Sequence, residues 1–144
     1  MAELVHAAID VAQLIAAAAR PDCGAVSVFI GNSRDHNEGR KVAWLEYEAY
    51  EPMALAALER LERDTVARFE IATCRIVHRL GVVPLAEASV VVVVAASHRQ
   101  PAFEACQWAM NELKRGAPIW KKEFFAEGGE EWVKGTKLES TPRS

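Results

Sequence analysis

Cysteine is scarce in this 144-residue chain: Cys23, Cys74 and Cys106 stand far apart, and no two form a CxxC pair. An odd number at such spacing argues against a disulfide framework and against a zinc ribbon, so the thiols read as buried and free in a reducing compartment. The four histidines, His6, His36, His78 and His98, show no HExxH or similar ligand spacing, and no metal site or other cofactor is expected. No P-loop, Ser-His-Asp triad or paired-carboxylate arrangement is present. Long apolar runs are missing too. The longest strongly apolar stretch is Ala88 to Ala96, far short of the roughly 20 residues a membrane helix needs. Glu3 and Asp10 stand where a secretory leader carries basic residues, so none is expected and the chain reads as cytoplasmic. Finally, there is no excess of positive charge: 17 basic against 20 acidic residues give −3, which argues against a broad nucleic-acid surface.

What is present fits one domain over 1–139, with a disordered tail at 140–144. Asp10 caps a helix from Val11 to about Ala19, ended by Arg20-Pro21. Gly24 to Ile30 reads as a strand, and Gly31 to Arg40 as a polar, mobile loop. Lys41 to Tyr50 alternates, with Ala43, Leu45, Tyr47 and Ala49 as the cleaner apolar face of a half-buried strand. Pro52 opens a helix whose inward stripe is Ala54, Leu58, Leu61, Thr65 and Phe69. Ile71 to Leu80 is a strand closed by Gly81. The five consecutive valines within Ser89 to Ala96 demand a strand buried on both faces, at the centre of a sheet. Pro101 starts a helix to about Arg115 with Ala102, Cys106, Ala109 and Leu113 inward, stopped by Gly116 and Pro118. Ile119 to Phe125 is extended, Gly128-Gly129 turns, and Trp132-Val133 starts a last short strand. The order α-β-β-α-β-β-α-β implies an α+β fold with mixed pairing.

The candidate chemistry lies at strand and helix ends. Lys114-Arg115-Gly116-Ala117-Pro118-Ile119-Trp120-Lys121-Lys122 is a cationic cluster on an acidic chain, which suggests a pocket for an anion. Arg34 follows the first strand. His98 and Arg99 lie where the valine strand becomes a helix, whose first backbone N–H groups favour a phosphate. Against this, lysines at a helix C-terminus also suit the macrodipole, and a lone His-Arg before a helix is often a plain surface turn.

The chain resembles the large, catalytic subunit of molybdopterin synthase. The resemblance is carried by Gly24 to Gly31 with Arg34-Asp35-His36-Asn37, by Leu45 to Tyr50 with Pro52-Met53, by His78-Arg79-Leu80-Gly81, by Ser97-His98-Arg99, and by Leu113-Lys114 with Ala117 to Lys122. It implies an α+β fold of the α/β-hammerhead type with a mixed sheet and flanking helices. It also implies a sulfurtransferase. Such an enzyme converts cyclic pyranopterin monophosphate to molybdopterin, taking sulfur from the thiocarboxylate on the C-terminal Gly-Gly of a small ubiquitin-like subunit. The assembly implied is a homodimer within a heterotetramer. By motif, Lys114 sits beside the threaded thiocarboxylate and acts on its carbonyl and sulfur. Lys121 is the second essential lysine, assigned to substrate binding and proton transfer. Arg34 belongs to a mobile loop, and His98 and Arg99 reach the pterin phosphate across the dimer. Pro118, Ile119, Trp120 and Phe124 line a channel for the partner's tail. Either Lys134 or Lys137 supplies a further basic residue. The alternative is a catalytically idle homologue that binds a ubiquitin-like protein.

Overall fold

A computed structural model of the protein describes residues 1–133. Lys134, Lys137 and the tail 140–144 lie outside the described residues. The elements in chain order are β1 (Glu3–Val5), α1 (Val11–Ala18), β2 (Ala25–Asn32), β3 (His36–Asn37), β4 (Arg40–Ala49), α2 (Glu51–Arg68), β5 (Thr73–Arg79), β6 (Gly81–Val83), β7 (Ala88–Ala96), α3 (Arg99–Gly116), β8 (Ile119–Phe125) and β9 (Glu130–Val133).

The first sheet has the order β1-β5-β7-β2; β1 runs parallel to β5 and the other pairs are antiparallel. β7 is interior, and every residue from Ser89 to Ala96 is buried. Valines at positions 90, 92 and 94 join the inward stripe of α3 and Leu58 of α2 in one core. The alternate valines at 91 and 93 are buried on the other face, as the absence of polar alternation requires. The second sheet is antiparallel and centred on β4, which pairs with β3, β6 and β8, while β9 pairs with β8. Its inner face forms a second core with Ala54 and Leu80; Leu4 and Ala117 pack against both cores.

Four expectations change. The element order gains β1, β3 and β6, short strands that the chain signals only through distant partners. Gly31 to Arg40 is not an open loop: Glu38 (φ 51) and Gly39 (φ 81) make a two-residue turn between β3 and β4, a pairing of positive φ values that suits the twist of a hairpin. In β4 the inward residue is Val42, not Ala43, because the ladder shifts register between Val42 and Trp44; the extra residue brings Val42 onto the same inner face as Leu45 and Tyr47, which lie inward as expected. α3 begins at Arg99 rather than Pro101, since proline is tolerated anywhere in the first turn.

Gly81 (φ +83) carries the chain from the first sheet into the second. A side chain is disfavoured in that conformation. The His78-Arg79-Leu80-Gly81 stretch is therefore a crossover: His78 ends the pairing with β7, Arg79 the pairing with β1, and Gly81 opens the pairing with Tyr47.

Val92 is fully buried in the interior strand. Val92→Ala should lower the unfolding free energy in urea by about 2–3 kcal/mol, between the costs of smaller and larger core truncations. A loss below roughly 0.5 kcal/mol would remove β7 from its central place in the core.

Candidate functional site

α3 stops at Gly116, and Ala117 leaves the helix (φ −71, ψ 132) while its N–H still bonds Leu113 O at 3.1 Å. Pro118 has no N–H to extend the helix, and β8 departs at once. This corner folds Lys114, in the last turn of α3, back over Lys121 of β8. Both lysines line a cavity of about 30 Å³ together with Tyr47, His78, Leu113, Ala117 and Ile119. That is space for about one water molecule or the end of an extended ligand.

The electrostatics of the corner are strained. Burial pushes the Lys114 pKa below the ordinary lysine value, and the neighbouring Lys121 charge lowers it further. Lys121 is lowered as well, first by burial; Glu123 opposes the shift and Arg34 adds to it. Arg34 itself is exposed at the end of β2. Lys121 stands between two like charges, Lys114 across the cavity and Arg34 beside it, and an anion at the corner would offset their repulsion.

Sequence reasoning missed three residues of this site. Glu123 is only 3 % exposed. Its two carboxylate oxygens accept from Asn37 Nδ2 at 3.0 and 2.9 Å, and Oε2 lies 3.9 Å from Lys121 Nζ. The β3 hairpin is thereby tied to β8, and Val42 N–H to Asp35 O (2.7 Å) and Ser33 N–H to Glu87 O (3.0 Å) hold the segment on either side of Arg34. His78 is 4 % exposed, with Nδ1 2.8 Å from Arg79 O, so Nδ1 carries the proton and Nε2 is left as an acceptor. Its ring meets Tyr47 edge-on at 5.0 Å. Burial drives the His78 pKa down to about 4, and Lys114 contributes in the same direction. The available signal was strand periodicity: Tyr47, Lys121 and Glu123 alternate onto one face, and His78 precedes the crossover glycine.

Other sequence candidates lie elsewhere. His98 is the exposed N-cap of α3 and Arg99 its exposed first residue. Arg99 is separated from Lys114 by the helix itself, roughly 22 Å at about 1.5 Å per residue. One chain does not bring these groups together. Of the residues read as a channel, Ile119 lines the lysine cavity and Pro118 forms its corner. Trp120 and Phe124 are on the opposite face of β8, because a strand alternates sides residue by residue. Phe124 stacks on Trp44 with ring centroids 4.7 Å apart, and Lys122 lies 4.6 Å from the Trp132 ring and 2.7 Å from Glu130. Among the described residues, no three His, Cys, Asp or Glu side chains converge to hold a metal ion, and no helix is long and apolar enough to cross a membrane.

The buried imidazole sets a pH dependence. The folded state keeps His78 neutral down to about pH 4, whereas the unfolded chain takes up that proton near its ordinary value of about 6.5. The contribution to stability is complete above the unfolded value and is lost as pH falls between the two, about 3 kcal/mol in all. Urea midpoints at neutral pH and near pH 4 should show this drop, and His78→Gln should flatten it. Equal drops in both proteins would place the acid lability elsewhere.

Comparison with known proteins gives the site its context. The family model described as "MoaE protein" matches residues 4–116. A molybdopterin synthase catalytic subunit of Culex quinquefasciatus is 44% identical over 121 residues, covering 83% of this chain and 77% of the relative. The subunit of the same name from Pyrococcus abyssi is 41% identical over 128 residues, covering 89% of this chain and 86% of the relative. The crystal structure of molybdopterin synthase from Staphylococcus aureus superimposes with a TM-score of 0.86 at 34% identity, over 91% of this chain and 95% of that one. Agreement of this depth, over more than four-fifths of the chain in each relative, makes the protein a member of the MoaE family of molybdopterin synthase catalytic subunits.

Proposed function

We propose that the Lys114–Lys121 cavity transfers sulfur from a thiocarboxylated Gly-Gly tail to cyclic pyranopterin monophosphate, building the dithiolene of molybdopterin. The tail belongs to a small ubiquitin-like subunit, and the reaction takes place in the cytoplasm. The observation that carries this reading is the pair of half-buried lysines at one small cavity, the charge of Lys114 disfavoured by Lys121 and that of Lys121 by Arg34. Substrate phosphate and thiocarboxylate are both anions, and cations in a poorly hydrated corner offset their repulsion and hold them in register. The thiocarboxylate sulfur attacks the pterin side chain and displaces an oxygen. That oxygen takes a proton; water then adds to the acyl carbon of the tail, whose oxygen carries negative charge until the acyl C–S bond breaks, leaving sulfur on the pterin and the tail as a carboxylate. Lysine ammonium groups meet both needs. The narrow corner of Ala117, Pro118 and Ile119 suits a tail without side chains.

His98 and Arg99 fit the reading only if a second copy supplies them. β2 is an edge strand that exposes Val26, Phe29 and Ile30, each about two-fifths accessible, and Phe103 near the start of α3 is 60% exposed. An uncovered apolar edge of this kind favours pairing with another chain. His98 and Arg99 stand next to that edge, since Gly24 N–H bonds Ser97 O. A homodimer built there, with one small subunit at each end, places the pair of one copy toward the lysines of the other. An idle homologue that only binds the small subunit has no use for Lys114, Lys121, Arg34, His98 and Arg99 together.

Lys114→Ala should lower dithiolene formation from the thiocarboxylated partner by at least roughly 100-fold while the fold and dimer persist. Near-normal turnover would sink the mechanism. Mixing Arg99→Ala with Lys114→Ala protein should recover part of the activity, because a mixed dimer keeps one complete site. No recovery in verified mixed dimers would confine each site to one chain.

A further inference from the structure

We infer that His78 is a positioning residue for Lys114. We further infer that an imidazole beside one lysine and a carboxylate beside the other divide the proton work: Lys114 gives up its proton during transfer, and Lys121 stays a fixed cation. This rests on the sulfur-transfer reading above and reverses the division of roles drawn from the sequence.

The argument begins with the groups that face Lys114. β4 contributes Tyr47, β5 contributes His78 and β8 contributes Lys121, while Glu123 and Arg34 act on Lys121 beside it. The oxygens of Glu123 are taken up by Asn37 and turned to Lys121. His78 is fixed from behind: Nδ1–H donates to Arg79 O, Tyr47 braces the ring edge-on, and Gly81 ends the strand. Its ring lines the same small cavity as Lys114, and Nε2 is the acceptor left once Nδ1–H is used. A cavity of that size has room for one water to bridge the imidazole and the Lys114 amine.

The chemistry of the two acceptors differs. A carboxylate attracts an ammonium by charge and holds its proton. A neutral imidazole nitrogen accepts an N–H from either an ammonium or an amine, so it keeps the lysine in place in both states and favours the charged one by a hydrogen bond alone, less than a carboxylate does. The imidazole is neutral throughout the working pH range because burial prevents its protonation. Lys114 can therefore lose a proton without losing its position. In the proposed step the Lys114 N–H bond breaks as an O–H bond forms on the oxygen displaced from the pterin side chain. The Lys114 amine stays on Nε2 and regains a proton from water after product leaves. Lys121, with Glu123 beneath it, keeps its charge and holds the substrate anion.

The test is an NMR titration of the intact protein carrying lysine labelled with ¹³C at Cε, the two signals identified by Lys114→Arg and Lys121→Arg. His78→Asn retains a group at the Nδ1 position but none at Nε2. It should move the Lys114 midpoint down by about one pH unit, the loss of one hydrogen bond to a charged group, and leave Lys121 in place. His78→Gln, whose amide reaches the Nε2 position, should restore the wild-type midpoint. Glu123→Gln should move Lys121 and not Lys114. In turnover, His78→Asn should reduce kcat with little change in KM. An unmoved Lys114 midpoint in His78→Asn, or an equal shift of both lysines, would overturn the proposal. If His78→Asn fails to fold, His78→Phe, which keeps the ring against Tyr47, is read by the same criteria. Wild-type protein that shows these shifts but forms no dithiolene would overturn the sulfur-transfer reading and the division of proton work, while upholding the His78–Lys114 placement.

Discussion

The structure depends on a strand that water never reaches. β7 is buried along nearly its whole length, so both of its faces must be covered. That requirement places α2 and α3 on one side and calls β5 and β2 to its two edges. α3 leaves the end of β7 after only Ser97 and His98, then packs back across β7 and β2. The helix has no freedom to choose its direction. Its two ends, one bearing Arg99 and the other Lys114, are set by the strand that precedes it.

The second sheet supplies what the first cannot. It carries a strand, β8, whose inner face alternates apolar residues with Lys121 and Glu123. Such a face is costly to bury unless its charges have partners. Asn37 and the lysine beside it provide them for Glu123; Lys121 has only that distant carboxylate against burial and two other cations. The residual imbalance is a property a binding site can use. A cavity that is short of negative charge when empty gains from an anion in a way that a neutral one does not.

Much of this was legible in the sequence. The uninterrupted valines announced an interior strand, the stripe of Ala102, Cys106, Ala109 and Leu113 announced the face of α3, and Gly116 with Pro118 announced the corner that joins the two lysines. These signals are local, and local signals survive in a sequence read alone. The short strands β1, β3 and β6 did not, because their pairing is decided by residues far along the chain. The bulge at Ala43 reversed an alternation that was otherwise regular. His78 and Glu123 escaped for a different reason: alternation gives the face a residue occupies, and the meaning of a single histidine or glutamate there comes from what the fold sets opposite it. The placement of Trp120 and Phe124 away from Lys121 follows from strand alternation and was within reach of the same pattern that located the strand.

α3 links a group at its start to a group at its end through an unbroken run of helical turns. Each residue in it contributes about 100° of rotation and about 1.5 Å of rise. Inserting or deleting one residue between Phe103 and Leu113 would swing Lys114 off the cavity and shear the apolar stripe from β7 at once. The helix therefore tolerates exchange of side chains on its wet face but not a change of length. Length variation in relatives of this chain belongs in the turn at Glu38-Gly39 and in the Ala126 to Gly129 connection, where neither core is anchored.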